Sequence, residues 1–88
     1  LTYRPGDPVL GNNLASALAE QGQELEEALK LAEAAVAAQP NEVQYRDTLG
    51  WVLYKKKDQD RAAQIYQQLR KKKPLPENVE AHARQVLG

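Results

Sequence analysis

Pro40 and Pro74 stand 34 residues apart, and the residues leading up to each follow the same order of small, apolar and turn positions. A fixed period of this kind marks a stacked array of similar supersecondary units, none of which can bury its apolar face alone. In the unit that Pro74 closes, Leu49-Gly50, Ala62 and Tyr66 stand at set intervals. Counting back from Pro40 places Leu14-Ala15 opposite Leu49-Gly50, and Ala28, Ala32 and Ala35 opposite Ala62, Tyr66 and Leu69. The first unit holds one residue more. Its place is the Gly22-Gln23-Glu24 turn, where a surface insertion costs little. The chain therefore divides into a first unit at 8–42, a second at 43–76 and a closing segment at 77–87.

Each unit reads as two helices. Asp7 followed by Pro8 is an N-cap with proline at the first helical position, and Leu10, Leu14 and Leu18 keep helical spacing up to Gly22. A second helix over 25–38 stops before Pro40. Asn41 with Gln44 suggests a capping box opening a third helix, and Asp58 caps a fourth. Pro74 and Pro76 end the fourth, and Val79, Ala83, Val86 and Leu87 share one side of a fifth. Ala, Leu, Glu, Gln and Lys dominate and Phe is absent, so an all-α fold is expected. At 88 residues the core will be thin.

Net charge is zero but unevenly placed. Residues 1–42 carry two bases, Arg4 and Lys30, against seven acids, a net of −5, while residues 43–88 carry ten bases against five acids, a net of +5. Such polarity suits a partner, or a second copy, of opposite sense, and a weak homodimer is expected. There is no Cys, which removes disulfides, thiolate nucleophiles and Cys-ligated zinc and leaves localisation open. No apolar run is long enough to insert in a membrane, and no Met is present, so a piece of a longer product is expected.

The interval L-G, then A-x3-aromatic, then P in the second unit resembles the tetratricopeptide repeat (TPR) family, and the resemblance covers residues 8–76. It implies two helix-turn-helix repeats in a right-handed α-solenoid fragment, closed by a capping helix. It also implies a concave groove lined by the first helix of each pair, where such proteins hold a partner segment. Arg46, Leu53 and Lys57 depart from the family pattern. Lys57 replaces the turn glycine, which predicts strain or a helical extension there. A narrower likeness, carried by Asn12-Asn13-Leu14-Ala15 and by Asp47 to Tyr54, is to bacterial TPR lipoproteins associated with exopolysaccharide export.

The resemblance places Asn12, Ser16, Asp47, Trp51 and Tyr54 on the groove face. Trp51 and Tyr54 could anchor a partner, with Asn12, Ser16 and Asp47 as a polar frame; alternatively the fifth helix or a neighbouring repeat covers Trp51 and makes it core. Members that clamp a C-terminal carboxylate do so with Lys and Asn, and Asp47 at such a position would repel that ligand. The runs Lys55-Lys56-Lys57 and Arg70 to Lys73 end helices, where the macrodipole accounts for cations, so no nucleic-acid partner is expected. His82, the sole histidine, lacks a second ligand or a nucleophile in its neighbourhood and reads as a surface residue. No catalytic residue, metal or cofactor is expected. The leading expectation is a protein–protein interaction scaffold, and the alternative is a spacer or self-association segment of a longer solenoid.

Overall fold

The computed structural model describes residues 7–71 and 74–88, so Arg4 in the charge count and Lys72 and Lys73 of the basic run lie outside the described residues. The chain is all-α: α1 (Pro8–Gln21), α2 (Leu25–Ala38), α3 (Val43–Lys55), α4 (Gln59–Arg70) and α5 (Glu77–Leu87). Short turns fold α1 back on α2 and α3 back on α4. α3 also packs on α1 and α2, and α5 packs on α3 and α4.

Local chemistry sets the boundaries. Asp7 accepts from the Val9 amide at 2.9 Å and the Leu10 amide at 3.4 Å, with Pro8 at the first position of α1. The helix ends at Gly22, whose left-handed φ of 70° allows its amide to reach the Ala19 carbonyl while that of Gln23 reaches Leu18. α3 ends in the same motif without glycine. Lys57 adopts φ 71°, its amide bonds the Tyr54 carbonyl, and the Asp58 amide bonds that of Leu53. The expected strain at Lys57 is thus present, and the helix does not extend through it. Asp58 immediately starts α4 by accepting from the Arg61 amide. In the first unit Gln23 intervenes before Glu24, which sits at φ 49° without a side-chain cap. At α3 the cap is Glu42, accepting from the Gln44 amide, and not Asn41, because the helix begins two residues after Asn41.

Small residues let the helices approach. Ala15, Ala19, Ala28, Ala32 and Ala62 have no exposed surface. At Gly50 a Cβ would stand 2.7 Å from Tyr66 Cε2 and 3.2 Å from Ile65 Cγ2, so only glycine admits the Tyr66 ring. Large core side chains gather in the second half: Val52, Leu53, Tyr66, Leu69 and Val79. In α1 the leucine stripe that marks the helix is not its buried face. Gly11, Ala15 and Ala19 face inward, while Val9, Leu10 and Leu14 are exposed, Leu14 at 44%.

α5 lies against α3. Gln44 and Asn78, each the second residue of its helix and 34 residues apart, exchange side-chain hydrogen bonds at 3.4 and 3.0 Å. α5 is further held by Arg70 to Glu80 at 2.8 Å and by Gln59 Nε2 donating to the Val86 carbonyl at 2.7 Å. Among the described residues no helix is long and apolar enough to cross a membrane.

Candidate functional site

Helical spacing places Asp47, Trp51 and Lys55 on one stripe of α3, with Tyr54 beside it. Asp47 is buried and serves three helices. The Tyr66 hydroxyl of α4 donates to the Asp47 carboxylate at 2.7 Å, with the Asp47 carbonyl at 2.8 Å. His82 of α5 brings Nδ1 to 2.9 Å from one carboxylate oxygen and 3.2 Å from the other. A carboxylate can only accept, so Nδ1 carries a proton. Burial, then the neighbouring Asp47 charge, pushes the Tyr66 hydroxyl well above the usual tyrosine range. It is held as a donor.

Trp51 is only 6% exposed. Its ring stacks on His82 with centroids 4.0 Å apart and on Tyr54 at 5.1 Å, and Nε1 donates to Glu20 of α1 at 3.0 Å. The Lys55 ammonium lies 5.3 Å from the ring centroid. The fifth helix therefore covers Trp51, which removes the indole as an exposed anchor. Asp47 likewise does not frame a groove, since its carboxylate is engaged inside the chain. His82 is half-buried and occupied on two sides, a correction to its reading as a free surface histidine.

The remaining expected residues separate. Asn12 and Ser16 lie four apart on α1, in line with Glu20, but Asn12 is 9% exposed and its Oδ1 has no hydrogen-bond partner among the described residues, whereas Ser16 is exposed. Tyr54 is half-buried and opens on a recess of about 360 Å³ lined by Tyr54, Lys55, Lys57 and Gln59. The neighbouring Lys56 turns the other way and pairs with Glu26 of α2. That contact, first through its hydrogen bond and then through charge, holds the Glu26 carboxyl below the usual range.

The Asp47 node and the Trp51–Glu20 bond were missed from the sequence because they join residues 19 to 35 positions apart, and neither Glu20 nor His82 carries a local signal of its partner. The recess draws on residues 54–59 alone, where the sequence showed only the end of one helix and the start of the next. Compared with protein-family models, curated proteins and solved structures, the chain matches none.

Proposed function

We propose that this chain is a tetratricopeptide-type protein-interaction module, with repeats at 8–42 and 43–76 and α5 as its capping helix, holding a partner segment on the face of its first helices. The reciprocal pair Gln44–Asn78 supports the repeat reading, because the same position of two successive units meets across a 34-residue step. The observation that carries the binding reading is the recess beside Tyr54 at the end of α3. It offers concave space next to an aromatic ring already fixed by stacking on Trp51, so a partner would spend little entropy in ordering it. The anchor moves from Trp51 to Tyr54.

Selection of binders from a random peptide library, followed by amide-shift mapping on the labelled chain, tests this. Saturable shifts over residues 54–59 are the expected result. Selected peptides that map elsewhere, or the absence of any saturable binder, would overturn it.

A second reading, a spacer or self-association segment, is favoured by the burial of Trp51 and by the uncovered strip of Val9, Leu10 and Leu14. Concentration-dependent sedimentation that is abolished by Leu14→Gln is its signature.

A further inference from the structure

The recess beside Tyr54 has a chemistry of its own. Among the described residues two lysines line it and no acid does. Among the described residues neither Lys55 nor Lys57 forms an ion pair, although Lys56 between them does. The helix C-terminus favours cations here but takes no lysine side chain as a partner: the Val52, Leu53 and Tyr54 carbonyls accept the backbone amides of Lys56, Asp58 and Lys57. The ammonium groups are left for another ligand. Lys55 is partly buried and leans over Trp51, and Lys57 is held at a left-handed backbone angle that fixes where its side chain leaves the chain.

The two unpaired cations flank an aromatic wall, Tyr54, and an amide, Gln59, whose Nε2 already donates to the Val86 carbonyl. A ligand complementary to this set carries a carboxylate for the lysines and an apolar or aromatic side chain for the Tyr54 ring. We propose that the recess binds an acidic peptide segment of a partner protein, with Lys55 and Lys57 pairing its carboxylates and Tyr54 contacting its neighbouring apolar side chain. This rests on the interaction-module reading and names the class of partner. It does not conflict with Asp47, whose negative charge is engaged by Tyr66 and His82. A peptide is favoured over a nucleic-acid strand because both aromatic rings near the lysines are already stacked on one another, leaving no pair of free faces to take successive bases.

The test uses fluorescence anisotropy with a short labelled peptide alternating Glu and Leu, its Gln/Leu counterpart, and oligothymidylate. The acidic peptide is expected to bind about tenfold more tightly than the neutral one at low salt, and to lose about fivefold with each of Lys55→Gln and Lys57→Gln. Lys71→Gln, at the other basic run, should leave it unchanged. Tyr54→Ala should weaken both peptides. Equal binding of the two peptides with loss in Tyr54→Ala would keep the interaction reading and overturn the acidic preference. An acidic preference that survives both recess variants but falls in Lys71→Gln would overturn the location. Preferential binding of oligothymidylate through Lys55 and Lys57 would overturn the partner class, and binding of neither peptide would remove both readings.

Discussion

The indole of Trp51 and the imidazole of His82 lie nearly parallel, 15° apart, with their centroids separated by 4.0 Å. The same imidazole donates to the buried Asp47, so one side chain both covers the core aromatic and satisfies the core charge. His82→Ala should therefore cost about 2 kcal/mol, through lost stacking and a missing donor to a buried carboxylate. Urea unfolding measures the loss. The emission of Trp51 should shift to the red in the folded variant as water reaches the ring. An unshifted spectrum at unchanged stability would show that α5 covers Trp51 by other means.

Gly50 is expected to resist even the smallest side chain. Alanine raises helix propensity by about 1 kcal/mol at an ordinary position. Here its Cβ would press on the edge of the Tyr66 ring, and shifting that ring pulls the hydroxyl from Asp47. The balance should be a net loss of about 1–3 kcal/mol, seen as a lower melting temperature for Gly50→Ala.

Alkaline unfolding should report on Tyr66. In the unfolded chain its hydroxyl titrates at the ordinary 10.0, while in the folded chain it keeps its proton to higher pH. The stability it supplies is complete below 10.0 and is lost as pH rises above it, at up to about 1.4 kcal/mol per pH unit for one proton. Tyr66→Phe should be less stable at neutral pH by about 1–2 kcal/mol, since Asp47 loses a donor. Its decline above pH 10.0 should nevertheless be shallower than that of the parent chain. Parallel declines in guanidinium titrations across that range would contradict the assignment.

At Lys57 the opposite kind of substitution should help. A non-glycine residue in the left-handed region costs about 1–2 kcal/mol, so Lys57→Gly should raise stability by about 1 kcal/mol. If the recess binds acidic peptides, the same change should weaken that binding. Thermal melts and the anisotropy titration read the two effects separately.

Much of the fold was legible because it rests on local chemistry. Asp7-Pro8, Gly22, Asp58 and the prolines mark ends by backbone rules that act within a few residues, and both ends of α1, the end of α2 and the starts of α4 and α5 follow them, whereas α2 begins without a side-chain cap and α3 ends at Lys57 without glycine. Asn41 misled because Glu42, one residue later, also offers an oxygen and lies closer to the helix start. The stripe of Leu10 and Leu14 named a helix but not its buried side, since burial depends on which neighbours exist to cover it. The site was less legible. Trp51 could be read as anchor or core with equal justice until α5 was placed. Asp47 looked like a groove residue because its two partners, Tyr66 and His82, lie 19 and 35 residues away.

The Asp47 carboxylate joins α3, α4 and α5 at one point, and this has a consequence for how the molecule opens. Withdrawing any one of the three helices strands a buried charge, so none can detach cheaply while the others stay folded. Among the described residues α1 and α2 bury no charge of their own; they pack against α3 and reach the rest also through Trp51–Glu20, Lys56–Glu26 and Arg61–Glu33. Native-state hydrogen exchange should accordingly resolve two cooperative units of unequal strength. The amides of the last three helices would exchange together by global unfolding, and those of the first pair earlier, by a partial opening that leaves the other three intact.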